Sequence, residues 1–158
     1  MGRDTQIPET EIPEADKAAY FGALCSMAAA DGSMDPEELE LILDSLEMGG
    51  LSARKRAVIR SYMFNPPKLE DCLYLLRDSS DTVRLGMVIA LVDVALADDV
   101  IVAEERKALE ETRASLNVEK PLFSAIEMFG REMKRLRDRG LDDTDAVSSI
   151  KEAVNDLN

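Results

Sequence analysis

Apolar side chains recur along this chain every three or four residues, and no stretch alternates as a strand would. Ala18, Phe21, Leu24, Cys25, Ala28 and Ala29 form one such stripe, which predicts a helix from about Pro13 to Ala30. The next helix carries its own start signals: Asp35 as N-cap, Pro36 at the first helical position and Glu38 at the third make a capping-box arrangement. Leu39, Ile42, Leu43 and Leu46 supply its buried face, and Gly49-Gly50 ends it. Ser52 caps a third helix to about Phe64, which Asn65-Pro66-Pro67 stops, and a short fourth runs from Lys68 to Arg77. The fifth, from about Ser80 to Ala97, is apolar on nearly every side through Val83, Leu85, Met87, Val88, Ile89, Leu91, Val92 and Val94, so it is expected at the centre. A sixth follows from Ala103 to about Ser115, a seventh from Val118 to Arg139, and an eighth from Thr144 to Asp156 after the break at Gly140.

These elements predict an all-α protein, a single compact bundle of seven to eight helices. Residues 1–13, punctuated by Pro8 and Pro13, read as a flexible leader; 14–118 form the helical domain, and 119–158 an extension packing on it. The last helix gathers Leu141, Val147, Ile150, Val154 and Leu157 on about one side, suited to capping the bundle or docking on a partner.

The pattern also repeats. At the 67-residue offset that sets Asp31 against Asp98, Leu24 meets Leu91, Met27 meets Val94, Ala28 meets Ala95 and Ala30 meets Ala97. Beyond the turn Met34 meets Ile101, Glu37 meets Glu104, Glu38 meets Glu105 and Ile42 meets Leu109. Two helix–turn–helix units thus share one recipe, and a pseudo-two-fold arrangement of the pair is expected.

Composition narrows the function classes. With 32 acidic against 19 basic residues the formal charge is −13, so nucleic acid and anionic lipid are repelled by the average face. The basic residues around Arg54–Arg60 and Arg131–Arg139 fall at helical spacing amid acids, as solvated faces do. Cys25 and Cys72 sit singly in apolar helical patterns, as buried free thiols of a reducing compartment. The N-terminus lacks the apolar core of a signal peptide, position 6 is Gln where a myristoylation pattern wants Ser or Thr, and the run Val83 to Ala97 is too short to span a bilayer. A soluble, cytoplasmic protein without direct membrane insertion is expected. Its partners are expected to be proteins, a second copy of this chain among the options.

The acidic turns admit three readings. Asp31, Gly32, Met34 and Glu38 fit positions 5, 6, 8 and 12 of an EF-hand calcium loop, but positions 1 and 3 would be Met27 and Ala29, and Val94 and Leu96 in the second copy, which offer no side-chain oxygen. Helix capping alone accounts for the first copy, with Asp35 and Glu38 taking free N–H groups and Glu37 complementing the dipole. In the second copy the cap position is Val102 and the next Ala103, so capping logic is lost there while Asp98, Glu104 and Glu105 persist. If the units pack about a pseudo-two-fold axis, Asp31 and Glu38 approach Asp98 and Glu105, with Asp93 further back on the central helix. Such a gathering of carboxylates calls for a cation or a basic partner, and oxygen ligands with no His in the chain suit Ca²⁺ or Mg²⁺.

The pair LCSMAAADGSMDPEELELI and LVDVALADDVIVAEERKAL resembles the duplicated signature of the TerB-like (tellurite resistance protein B) superfamily, an Ala-Asp-Gly turn followed by Asp-x-x-Glu in two halves of an all-helical domain. The resemblance covers about residues 15 to 118. It implies a helical bundle with an acidic face proposed to bind divalent metal, and a sensor or scaffold role in stress-response or membrane-associated complexes rather than an enzyme. The positions that match are Asp31, Asp35 and Glu38 in the first half and Asp98 and Glu105 in the second. Asp99 departs from the turn glycine and Val102 from the expected acid. A related membrane co-chaperone carries a J-domain, whose His-Pro-Asp tripeptide is absent here.

Enzymatic readings find little support. Asp44-Ser45-Leu46 matches the attachment tripeptide of acyl carrier proteins, but Ser45 lies near a helix end rather than a helix start. A nucleophile would lack a His base, and no glycine-rich phosphate loop is present. A metal-dependent hydrolase using the same carboxylates is the alternative, and a deep pocket beside them would favour it. A cation-free acidic adaptor for a basic partner is the third option. The eight Met mostly fall on apolar stripes, as core residues do.

Overall fold

The computed structural model describes residues 12–32, 35–46, 48–98 and 100–140. Among them are seven α-helices and no strand, so the expected all-α architecture holds. They are α1 (Glu14–Asp31), α2 (Pro36–Ser45), α3 (Ala53–Ser61), α4 (Leu69–Leu76), α5 (Asp81–Ala95), α6 (Ala103–Ser115) and α7 (Lys120–Asp138), with short 3₁₀ turns at Met48–Gly50 and Leu96–Asp98. The leader up to residue 11 and the eighth helix expected at Thr144–Asp156 lie outside the described residues.

Local chemistry sets these boundaries. Asp35 Oδ1 accepts the Glu37 N–H at 2.9 Å, Ser52 Oγ the Lys55 N–H at 3.2 Å, and Ser80 Oγ the Val83 N–H at 3.2 Å, each satisfying a donor that the first helical turn leaves free. Gly32 takes a left-handed conformation, φ 70°, and returns its N–H to Ala28 O at 2.8 Å, ending α1. The third helix stops at Ser61, three residues before Phe64, because the chain tightens first. Met63 and Phe64 donate to carbonyls three residues back, a 3₁₀-type turn that leads into the two prolines.

The centre is shared by two helices rather than held by one. Phe21, Leu24 and Met27 of α1 are buried, as are Met87, Val88, Leu91 and Val92 of α5. Ile89, expected inward, is 46% exposed. α1 packs on α4 and α5, α5 on α6 and α7, and α6 reaches α1 and α4 as well. Burial of each such Leu, Met or Phe contributes about 1.5–3 kcal/mol, so this two-helix core supplies a large share of the drive to fold. The α1–α4 approach is close enough to demand a glycine: a Cβ at Gly22 would lie 2.8 Å from Pro67 Cγ and 3.0 Å from Cys72 Sγ. On the far side, Glu127 of α7 accepts from Arg106 of α6, with Nη2–Oε2 at 3.0 Å, and from Arg131 one turn on, which ties the two helices and holds the Glu127 carboxyl below its usual range.

Candidate functional site

Both acidic turns follow a central helix: α1 leads through the first into α2, and α5 through the second into α6. The side chains of Asp31, at the end of α1, and of Asp98, at the end of the 3₁₀ turn after α5, lie outside what is described. The remaining expected site residues occupy three different environments.

Asp35 is exposed, and its Oδ1 is engaged by the Glu37 N–H in the capping role anticipated for it. Glu38, one residue further, is also exposed and lines a cleft of about 330 Å³. α1 contributes Tyr20 and Leu24 to this cleft, α2 Glu38, Ile42 and Ser45, and α5 Ala90, Asp93 and Val94. Tyr20 Oη donates to Gly86 O at 3.2 Å, across the α1–α5 contact, and Ser45 Oγ donates to Ile42 O at 2.7 Å.

Asp93 is the electrostatically perturbed member. Desolvation pushes its carboxyl above the usual range, with the Arg137 charge pulling the other way. The crowding comes partly from α7, since a Cβ at Gly130 would sit 3.7 Å from Asp93 Oδ1 and 2.9 Å from Leu96 Cδ1. The residue as a whole is nonetheless exposed, and it belongs to the lining of the cleft.

Glu105 is the opposite of its offset partner Glu38. It is 0% exposed, and its Oε1 accepts the Val102 N–H at 3.1 Å. The second turn therefore retains helix-capping logic after all. Val102 has no side-chain oxygen to offer, but the glutamate at the third helical position still reaches back to the backbone N–H, the reciprocal arm of a capping box. Its other oxygen, Oε2, is buried with no hydrogen-bond partner, the one such side-chain atom among the described residues. A buried carboxylate oxygen left without a partner is costly and asks for a proton, a water or a cation.

Among the described residues no group of three or more Asp, Glu, Cys or His side chains is placed to hold a metal ion, so Asp35, Glu38 and Glu105 do not converge by themselves. The sequence reading set Asp93 behind the acidic turns; it faces the cleft with Glu38. Tyr20 was missed altogether, because a tyrosine beside an apolar stripe gives no sign of where its ring edge points.

Cys25 and Cys72 are buried free thiols, as expected. Burial pushes them up to about 12 and about 11, with Cys72 adding to the effect on Cys25 and Asp71 to that on Cys72. Nucleophilic thiol chemistry is thereby suppressed near neutral pH. No described helix is long and apolar enough to cross a membrane. Comparison with family models, with curated proteins and with solved structures finds no match to this chain.

Proposed function

We propose that this chain is a non-enzymatic, TerB-like interaction or sensor module of a stress-response or membrane-associated complex, working in the cytoplasm, whose acidic turns hold a divalent cation, Ca²⁺ or Mg²⁺. The observation that carries this reading is Glu105 Oε2, a fully buried carboxylate oxygen at the start of the second acidic helix that has no partner among the described residues. A hard cation satisfies such an oxygen, and Asp31 and Asp98 are the further ligands that the repeat and the TerB-like resemblance suggest. Held between the two turns, the ion would link the halves, and its binding free energy would add to stability. At 100-fold excess over its dissociation constant that addition is about 2.7 kcal/mol.

The hydrolase alternative would draw on the α1–α2–α5 cleft, whose carboxylates are Glu38 and Asp93. Among the described residues its lining includes no Lys or Arg to hold an anionic substrate or stabilise a developing oxyanion, so the module reading is preferred.

A thermal-melt titration with Ca²⁺, Mg²⁺, Mn²⁺ and Zn²⁺ tests the proposal. A saturating ion should raise the midpoint by roughly 5–10 °C, and the Asp31→Asn, Asp98→Asn double variant should lose that rise. Equal shifts in both proteins, or none in either, would overturn it.

A further inference from the structure

The cleft between α1, α2 and α5 has a chemistry that the cation does not use. Its walls are apolar, from Leu24, Ile42, Ala90 and Val94, and its acids are Glu38 and Asp93. Among the described residues no basic side chain lines it. Glu38 makes no ion pair among the described residues, and the charge facing Asp93, that of Arg137, belongs to α7, outside the lining. Around this lies a molecule of net charge −13, whose field draws cations inward.

A volume of about 330 Å³ takes one long side chain and its flanking apolar neighbours, not a whole helix. Apolar walls with two carboxylates suit a residue whose stem is aliphatic and whose head is cationic. A metal ion would gain nothing from the apolar walls, and an anion would meet two negative charges.

We propose that this cleft is the docking socket for a protein partner, which inserts an arginine or lysine borne on an amphipathic segment: the stem lies along Leu24, Ile42 and Val94, and the head faces Glu38 and Asp93. This rests on the interaction-module reading and names the partner's chemistry. It also separates Glu38 from the cation: the buried Glu105 serves the ion, whereas its exposed counterpart serves the partner.

The test is a panning experiment with displayed random 12-residue peptides against the full chain, carried out in EDTA so that the cation site plays no part. Enriched peptides should share one Arg or Lys with apolar residues three or four positions to either side. For the best of them, the Glu38→Gln, Asp93→Asn double variant should bind at least tenfold more weakly. Replacing the peptide's basic residue by Gln should cost a similar factor, and combining both changes should add little, as expected when both remove the same contact. Both substitutions lie at exposed positions, and a cooperative melting curve in EDTA with a midpoint no lower than the parent's verifies that the double variant folds. Peptides without a common basic residue, binding insensitive to the double variant, or no enrichment over a tag-only control would each overturn the proposal. A cation-dependent melt shift that survives such a failure would leave the ion reading standing, and the converse holds equally.

Discussion

The two acidic turns share an Ala-Asp start and a Glu-Glu end at the same spacing, yet their second glutamates end in opposite states. Glu38 and Glu105 both stand at the third position of a helix that opens with Glu-Glu. Glu38 is exposed on a cleft, and Asp35 caps its helix; Glu105 is sealed in the core and itself serves the backbone of its helix start. The difference arises from what surrounds each helix. α6 is packed by α1, α4 and α5, whereas α2 has its main contact with α1 and leaves one side open. With no acceptor at Val102, the second helix needs its glutamate turned inward, while Asp35 frees Glu38 to face solvent. A local motif of this kind therefore specifies a helix start, and the packing decides whether its acid is structural or available to a ligand.

The contrast can be broken most directly at Glu105. In saturating Ca²⁺ or Mg²⁺, Glu105→Ala should cost about 3–4 kcal/mol, roughly 1 from the lost cap and the remainder from the lost ion linkage. In EDTA the cost should fall below about 2 kcal/mol, because removing a carboxylate with an unpaired oxygen relieves part of the penalty. Glu38→Ala should stay within about 0.5 kcal/mol in both media. Urea unfolding of the two variants gives the comparison, and equal losses at the two sites would refute it.

A second contrast at the same 67-residue offset pairs Gly22 with Ile89. Gly22→Ala pushes a methyl group into the rigid Pro67 ring and Cys72 and should cost about 1–3 kcal/mol despite alanine's better helix propensity. Ile89→Ala, at a position 46% exposed, should cost less than about 1 kcal/mol. Chemical denaturation again measures both, and a smaller loss at Gly22 than at Ile89 would show that the α1–α4 approach is not tight.

The smallest effect expected is at Asp93, whose offset partner is Ser26. The folded protein holds the Asp93 proton more tightly than the unfolded chain does, since desolvation raises its carboxyl. Its contribution is therefore full at pH values below the unfolded value of 3.8 and is lost as pH rises through the folded one. Asp93→Asn should accordingly gain stability relative to the parent as pH climbs from about 3 to 7. Ser26→Ala should show no such trend, and a parallel pair of pH profiles for Asp93→Asn and the parent would contradict the assignment.

Much of the fold is legible along the chain, for identifiable reasons. Period-three-to-four apolar stripes placed the helices, and Asp35, Ser52 and Ser80 marked starts that side-chain oxygens then made. Asn65-Pro66-Pro67 marked a stop, though the last turn before it tightened earlier than the prolines alone require. The sharing of the centre by α1 was less visible, because its small residues Ala19, Ala23 and Ala28 pack closely without a dense apolar run. Gly22, inside an apolar stripe, is the sign of close approach that stripe counting passes over. The site divides similarly. Acids at the turns can be read from spacing, but the burial of Glu105 and the exposure of Glu38 depend on helices distant in sequence, and no local pattern encodes that.

On the proposed function, Glu105 Oε2 takes a divalent cation. Isothermal titration calorimetry of Ca²⁺ and of Mg²⁺ into chelator-stripped protein tests it most directly, with Glu105→Gln beside the parent. In that variant the amide oxygen can still accept the Val102 N–H, while the orphaned oxygen is replaced. One saturable site is expected in the parent, and its loss in Glu105→Gln. Equal binding by the two proteins, or no binding by the parent, would contradict it.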